Sequence, residues 1–151
     1  LLREAISEGE FVYPYYISRE QTKKASLVFG YLFAECVRNK TFALALDGDN
    51  PVGFEAYLRS PFCDYFQTPN IYDGLLTFVS KPYRRKGVST QLRKFLLKTG
   101  AFKQGDIFRF SVKKDNAGGY LSVEKLAKEL TINMVETGTN YEGEVTHQLD
   151  I

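Results

Sequence analysis

The stretch Val79-Ser-Lys-Pro-Tyr-Arg-Arg-Lys-Gly-Val-Ser-Thr-Gln-Leu92 decides the fold of this chain, because it leads from an apolar strand through a basic turn into a helix. The strand, residues 71–79, ends in the run Leu-Leu-Thr-Phe-Val, which is typical of a strand buried on both faces. Pro82 ends the strand, and the helix is predicted to begin close to Gly87. A strand, turn and helix of this kind is suited to holding a phosphate group.

The helix after the turn is predicted to be amphipathic. Its apolar stripe consists of Val88, Leu92, Phe95 and Leu96, while Arg93, Lys94 and Lys98 lie off that stripe. The first N–H groups of a helix have no intrahelical acceptor, and the helix dipole puts about half a positive charge there. Gly87 would let a phosphate approach the backbone or supply a positive φ. The alternative is an exposed connection whose basic side chains are merely solvated.

The segment Arg84-Arg-Lys-Gly-Val-Ser89 resembles the acyl-coenzyme A signature of the GNAT N-acetyltransferase superfamily, written Gln/Arg-x-x-Gly-x-Gly/Ala. The residues before this segment, from Val79 to Tyr83, also resemble those that precede the signature in the family, whereas Ser89 stands where the family has Gly or Ala. A second segment, Ser111-Val-Lys-Lys-Asp-Asn116, resembles the strand end and the asparagine that open the family's next helix. The resemblance covers nearly the whole chain.

The resemblance implies an α/β (α+β) fold in a single domain, residues 1–151, that lacks the family's first strand. Its mixed, mostly antiparallel central sheet is flanked by helices, and two strands, residues 71–79 and 107–112, splay apart to form the acyl-coenzyme A cleft. Patterning predicts the remaining elements. They are helices at residues 2–7, from residue 18 to about 40, and at 116–130, strands at 41–46, 52–58, 132–136 and 144–151, a hairpin turn at 47–51 and a loop at 60–70.

The resemblance implies acetyl-coenzyme A as co-substrate. Backbone N–H groups near Phe78 and Val79 would bond the thioester carbonyl and the pantetheine, and the diphosphate would lie on the N–H groups of residues 85–90. Arg84 and Lys86 would add point charges. The implied cofactor-binding residues are Phe78, Val79, Arg84, Arg85, Lys86, Gly87, Val88, Ser89, Thr90 and Asn116.

Amine acetylation requires a neutral amine, a polarised carbonyl and a proton for the departing thiolate. Asp73 is the first candidate for the base and Glu55 the second, with solvated strand-end acids or substrate contacts as the alternative. The family often uses a tyrosine seven residues after the asparagine as the acid, but this chain has Val123 there. Tyr120 lies three residues earlier on roughly the same helix face and is the candidate acid; ordinary aromatic packing is its alternative.

His147 is the only histidine and lies among apolar residues of the last strand, which favours a structural role over a catalytic one. Three tyrosines near the N-terminus, Tyr13, Tyr15 and Tyr16, would line the acceptor side in this family. An aromatic cluster at a helix end explains them equally well.

Composition limits the partners of the chain. A net charge of +2 is too small to indicate nucleic acid, and no apolar run is long enough to cross a membrane. Cys36 and Cys63 have no metal-ligand spacing, so we predict a cytoplasmic protein with no metal; one disulfide is the alternative. The start at Leu1 without Met indicates a trimmed fragment, and a homodimer stays open.

The sequence therefore predicts an acyltransferase that moves an acetyl group from acetyl-coenzyme A to a primary amine of a small molecule or peptide, by direct attack in a ternary complex. A non-catalytic acyl-coenzyme A-binding module is the first alternative, because of Val123 and because Leu130-Thr131 replaces the family's Gly-Phe. A nucleic-acid-binding domain is the second; it would use Tyr83 for stacking beside Lys81, Arg84, Arg85 and Lys86.

Overall fold

The structure, a computed structural model, describes residues 1, 4, 21–98, 102–112, 116–139 and 145–150. None of the helices in this part of the chain is long and apolar enough to cross a membrane. The elements are α1 (Gln21–Arg38), β1 (Phe42–Asp47), β2 (Asn50–Arg59), α2 (Phe62–Phe66), β3 (Ile71–Val79), a 3-10 turn (Lys81–Tyr83), α3 (Val88–Lys98), β4 (Ile107–Val112), α4 (Ala117–Leu130), β5 (Asn133–Thr139) and β6 (Val145–Asp150).

These strands form one mixed sheet in the order β1-β2-β3-β4-β6-β5. The only parallel pair among them is β3 with β4, which α3 connects, and the other neighbours are antiparallel. The predicted mixed, mostly antiparallel sheet flanked by helices is therefore confirmed.

The core on the sheet face that α3 and α4 cover, here called the α3–α4 face, is aromatic. Tyr72 of β3 stacks on Phe108 of β4, with ring centroids 5.5 Å apart, and Phe102 meets Phe108 edge to face at 4.2 Å. Leu92 and Leu96 of α3 pack on this cluster. Such pairs add about 0.5–1.5 kcal/mol each beyond their area burial, so they fix the start of β3 against the start of β4.

The opposite face of the sheet, here called the α1 face, has a smaller core. Phe33 of α1 meets Phe42 and Phe54 edge to face, with centroids 5.7 and 5.5 Å apart, and Phe54 contacts Phe78. Because side chains alternate along a strand, neighbours of these residues in sequence point to the α3–α4 face.

The predicted strands at residues 71–79 and 107–112 are confirmed at both ends, as Ile71–Val79 and Ile107–Val112. The hairpin is tighter than predicted: Asp47 pairs with Asn50 across a two-residue turn, in which Gly48 has φ +58°. The predicted loop at 60–70 contains α2, which begins after Pro61 and ends at left-handed Gln67. The last two strands are shifted, to Asn133–Thr139 and Val145–Asp150.

The two cysteines are buried free thiols, so the alternative of a disulfide is wrong. Cys36 donates to the Tyr57 carbonyl at 3.2 Å, and Cys63 accepts from the Ile71 N–H at 3.2 Å. The predicted helix at 2–7, the three N-terminal tyrosines and the start of the helix at residue 18 lie outside the described residues.

Candidate functional site

Strands β3 and β4 pair at one end only. Their parallel register runs from Ile71 opposite Ile107 to Asp73 opposite Arg109 and stops there. Beyond that rung β3 keeps its pairing with β2, and β4 keeps its pairing with β6. Gly74 still lies against Arg109 and Phe110 of β4. The space between residues 75–79 of β3 and 111–112 of β4 is a split in the sheet, here called the split.

The closed end of the split is held by polar contacts. The Asn70 carbonyl accepts from the Ile107 N–H at 2.8 Å, and the Asn70 side chain donates to Asp106 at 2.9 Å. One rung further on, Arg109 donates from Nε and Nη2 to the two carboxylate oxygens of Asp73, at 2.8 and 2.9 Å. These contacts therefore hold β3 and β4 together at the closed end of the split, and the strands diverge from there.

A β-bulge in β3 lies at the point of divergence. Ala56 is opposite Leu76 and Tyr57 is opposite Gly74, so Leu75 is an extra residue on β3. A bulge bends its strand and increases the local twist. It therefore turns β3 away from β4 directly after the last shared rung.

The register of β3 decides which of its backbone groups face the split. The Ser80 N–H bonds the Val52 carbonyl at 2.9 Å, and this rung belongs to the same register as Phe54 opposite Phe78. Hydrogen-bonded and non-hydrogen-bonded pairs alternate in an antiparallel ladder. The backbone groups of Phe78 therefore point to β2, whereas those of Thr77 and Val79 point into the split.

The turn into α3 has the geometry of an anion cradle. Arg85 has φ +61° and Gly87 has φ +79°, both left-handed. The first bond of the helix runs from the Gln91 N–H to the Gly87 carbonyl at 3.0 Å, so the N–H groups of residues 88–90 precede it and have no intrahelical acceptor. No heavy atom lies within 4 Å of the position that a Cβ on Gly87 would take. The backbone here is open to a ligand.

The basic side chains of the turn are less free than the sequence suggests. Arg84 folds back onto the end of β3, where its Nε donates to the Val79 carbonyl at 2.7 Å and its guanidinium lies 5.5 Å from the Phe78 ring centre. Lys86 lies over the ring of Tyr83, whose hydroxyl donates to Asp47 at 2.7 Å. That hydrogen bond raises the pKa of Tyr83, and Lys86 covers one face of the ring.

Gly53 of β2 brings the start of α3 close to the sheet. A Cβ there would lie 3.1 Å from the Phe78 carbonyl oxygen and 3.3 Å from side-chain carbons of Val79 and Val88. These distances are tighter than ordinary van der Waals contact. The absence of a side chain at Gly53 therefore sets how near the cradle lies to the split.

The burial pattern of α3 corrects the prediction from its apolar stripe. Arg93 is only 9% exposed and faces the sheet, whereas Phe95 is 58% exposed. The buried face is Leu92, Leu96, Thr90 and Arg93. Arg93 is inside because its Nε donates to Glu55 of β2 at 2.7 Å, a partner that no helix periodicity reveals.

Glu55 is 1% exposed and lies at the centre of a buried polar network. Its Oε1 accepts from Tyr57 at 2.6 Å as well as from Arg93, while its Oε2 has no hydrogen-bond partner among the residues that the structure describes. Burial disfavours the charged guanidinium of Arg93, but the charges and hydrogen bonds of Glu55 and Tyr57 together outweigh this effect and raise the pKa of Arg93. Burial, with the charge of Glu55, also raises the pKa of Tyr57. Glu55 is thus enclosed under α3.

The same arginine connects α3 to α4. Its Nη1 donates to Ser122, whose hydroxyl in turn donates to the Gly119 carbonyl at 3.0 Å, and its Nη2 reaches Thr77 of β3 at 3.4 Å. Lys94 and Glu129 add an ion pair between the same two helices. Arg93 therefore ties the first turns of α4 to the strand that borders the split.

Helix α4 begins as the sequence predicts, at an asparagine. Asn116 is the N-cap, and its Oδ1 accepts from the Gly119 N–H at 3.0 Å. Tyr120 is 37% exposed, whereas Val123 is 1% exposed and belongs to the core. Of the two positions, Tyr120 is the one that solvent reaches.

His147 of β6 is buried beside Tyr120. Its ring stacks on Phe110 of β4, with centroids 5.3 Å apart, and lies 5.1 Å from the Tyr120 ring. Within the described part of the chain its Nδ1 has no hydrogen-bond partner. The aromatic packing agrees with the structural role that the sequence favours for this histidine, although the orphaned nitrogen departs from the usual pairing of buried polar atoms.

Asp73 and Arg109 lie on the α1 face, opposite to Tyr72 and Phe108 of the aromatic core. Their side chains are 46% and 41% exposed. The hydrogen bonds that Arg109 donates to Asp73 raise the pKa of Arg109. Asp73 is thus apart from Glu55, which faces α3 on the other side of the sheet, and the structure does not bring these two carboxylates together.

No model of a known protein family matches the chain, and no curated protein matches its sequence. Solved structures do match. Diaminobutyrate acetyltransferase EctA from Paenibacillus lautus, in complex with L-2,4-diaminobutyric acid and coenzyme A, has a TM-score of 0.65 at 19% identity, over 76% of this chain and 72% of its own.

Two further solved structures are similar. PaiA N-acetyltransferase from Thermoplasma acidophilum, in complex with coenzyme A, has a TM-score of 0.61 at 15% identity and covers 99% of this chain and 90% of its own. Naa50 from Arabidopsis thaliana, in complex with the bisubstrate analogue CoA-Ac-MVNAL, has a TM-score of 0.58 at 13% identity, with 94% and 87% covered. The chain therefore has the fold of the GNAT acetyltransferases.

Proposed function

We propose that this protein is an acetyl-coenzyme A-dependent N-acetyltransferase that acts on the amine of a small molecule or a peptide. The observation that carries the proposal is the coincidence of two features: β3 and β4 share only the rungs from residues 71 to 73, and β3 runs on to the anion cradle at Gly87. Coenzyme A has a diphosphate for the cradle and an amide-bearing arm for the backbone groups of Thr77 and Val79 that face the split. Similar proteins bound to coenzyme A support this assignment.

The arm would enter from the cradle end, so the thioester would lie at its far end, deeper in the split than Val79. Thr77 has the N–H group that faces the split nearest to its closed end. This N–H is therefore our candidate donor to the thioester carbonyl. Residues 85–90 would hold the diphosphate. Arg84 would first have to leave the Val79 carbonyl that it now bonds.

The chemistry needs no covalent enzyme intermediate. The acceptor ammonium gives one proton to a base, its nitrogen attacks the thioester carbon, the C–N bond forms and the C–S bond breaks, and the nitrogen gives up a second proton to leave the amide. The thiolate then takes a proton, and one proton is released overall. We propose Asp73 as the base and Tyr120 as the proton donor; Glu55, enclosed by Arg93 and Tyr57, is better suited to holding α3 than to meeting an amine.

Titration calorimetry with acetyl-coenzyme A tests the proposal. We expect binding to the wild type and its loss in Gly87→Glu, because an anion at the cradle repels the diphosphate. Gly105→Glu is the matched control, since Gly105 also has a left-handed φ, of +90°, and no heavy atom within 4 Å of the position that its Cβ would take. Retained affinity in Gly87→Glu, or equal loss in both variants, would contradict the site.

A non-catalytic acyl-coenzyme A-binding module is the second candidate, because the family's usual tyrosine position holds the buried Val123. It predicts binding of acetyl-coenzyme A without transfer to any amine. Release of free thiol from acetyl-coenzyme A in the presence of an amine panel separates the two candidates.

A further inference from the structure

The ion pair of Asp73 and Arg109 lies where an acceptor would approach the split. Helix α3 and its cradle lie on the α3–α4 face, so an arm that enters from there presents its thioester toward the α1 face. Asp73 and Arg109 are on the α1 face, on the last rung before the strands separate. In the proposed mode of binding, the pair therefore lies at the closed end of the split, on the face of the sheet opposite to the cradle.

The geometry of this pair fits the binding of a carboxylate. Nε and Nη2 of Arg109 meet the two oxygens of Asp73 at 2.8 and 2.9 Å, the bidentate arrangement in which a guanidinium fork recognises a planar carboxylate. Each side chain is more than one third exposed, so a solute can reach both of them. Exchange of one carboxylate for another at this fork keeps the charge of Arg109 paired.

The pair also obstructs the proposed base. Both oxygens of Asp73 are occupied by Arg109, and a carboxylate held in this way is poorly placed to accept a proton from an ammonium. An acceptor that carries its own carboxylate would take over Arg109 and release Asp73. An acceptor that carries only an amine would offer Arg109 no replacement.

We propose that Arg109 binds a carboxylate of the acceptor, and hence that the protein acetylates amino acids in preference to simple amines or amides. This inference rests on the acetyltransferase function proposed above. Arg109 is a specificity-determining residue in this scheme. Asp73, once released, takes the proton of the acceptor ammonium, and the amine nitrogen displaces the thiolate from the acetyl group as already written.

The test compares acceptors that differ only in the carboxylate. The standard amino acids and ornithine are each assayed beside the corresponding amide, and lysine also beside cadaverine, with thiol release for the rate and mass spectrometry for the product. We expect the wild type to favour at least one free acid over its amide by about tenfold or more in kcat/KM, as one charge-assisted pair allows. In Arg109→Gln that ratio should fall to about one, mainly through a higher KM for the acid.

Arg59→Gln is the matched control. Arg59 forms another bidentate pair, with Asp64 at 2.8 and 2.6 Å, and its Nε donates to Asn70 at 2.8 Å. It therefore adjoins the closed end of the split without taking part in the pair of Asp73 and Arg109. This substitution should leave the acid-to-amide ratio unchanged, so an effect of Arg109→Gln alone cannot come from the loss of a surface ion pair as such. Thermal unfolding of both variants checks that each is folded.

The outcomes separate the inference from the function on which it rests. Transfer to acids and amides at equal rates, or an unchanged ratio in Arg109→Gln, would overturn the inference and leave the acetyltransferase proposal standing. Binding of acetyl-coenzyme A without transfer to any of these acceptors would also overturn it. Absence of acetyl-coenzyme A binding, measured by calorimetry, would remove the function itself.

Discussion

Arg84 donates a hydrogen bond from Nε to the main-chain carbonyl of Val79, 2.7 Å away, and so occupies a backbone group that faces the split. An arginine expected to meet phosphate is instead bonded to the strand end. If the pantetheine arm uses the same carbonyl, Arg84 must exchange one partner for the other.

Arg84→Met separates these two roles. We expect weaker binding of coenzyme A, because a charge near the diphosphate is lost, and unchanged or tighter binding of pantetheine, which has no diphosphate and no longer competes with the guanidinium. Calorimetry with both ligands measures the effect. An equal loss of affinity for coenzyme A and for pantetheine would contradict an exchange of partners at the Val79 carbonyl.

Gly53→Ala should move the cradle away from the sheet. Its Cβ would meet the Phe78 carbonyl at 3.1 Å and Val88 at 3.3 Å, and such overpacking costs about 1–3 kcal/mol. We expect lower stability in urea and weaker binding of coenzyme A. Gly74→Ala is the control on the neighbouring strand, because its nearest contact would be an ordinary 3.5 Å; a similar loss in both variants would argue against a specific role of Gly53.

Arg93→Met should be among the most destabilising single changes in the described core. It leaves Glu55 buried without a countercharge, which costs about 3–5 kcal/mol. Adding Glu55→Leu should recover much of this loss, because no charge then remains inside. Urea unfolding of the two single variants and the double variant measures the coupling. Additive losses would show that the two side chains stabilise the fold independently.

Tyr57 should make the protein sensitive to alkali. Its pKa is raised by burial and by the charge of Glu55, so the folded state holds the phenolic proton more tightly than the unfolded chain does. This contribution is fully present below a reference pKa of about 10 and is lost at up to about 1.4 kcal/mol per pH unit above it. Tyr57→Phe should reduce the fall in unfolding free energy between about pH 10 and 11; an identical slope would count against this assignment.

The sequence predicted the elements whose patterns are local. Strands Ile71–Val79 and Ile107–Val112 were predicted to the residue, because an apolar or alternating run ends at a clear breaker, as β3 does ahead of Pro82. Their mixed sheet follows from the resemblance of the turn after β3. The cradle was also predictable, since Gly87 has the positive φ expected of it.

The interactions that complete the candidate site were not predictable in this way. Arg93 is buried because of Glu55, 38 residues earlier, so the periodicity of α3 alone assigned Phe95 to the core and Arg93 to solvent. Arg109 meets Asp73 across 36 residues, and in the sequence it is only the polar member of an alternating strand. The one sequence signal that indicates a special role for Arg109 is that it is a charged residue on a strand predicted to lie inside the sheet.

The split also makes the sheet incomplete as a hydrogen-bonding surface. Among the residues that the structure describes, no strand pairs with Thr77 and Val79 on the side of the split, so their main-chain groups there resemble those of an edge strand, although β3 is an inner strand of the sheet. A ligand arm that bonds these groups would act as a short, removable strand, by β-augmentation. Part of the free energy that stabilises the folded sheet would then come from the ligand, and resistance to unfolding would report directly on its concentration.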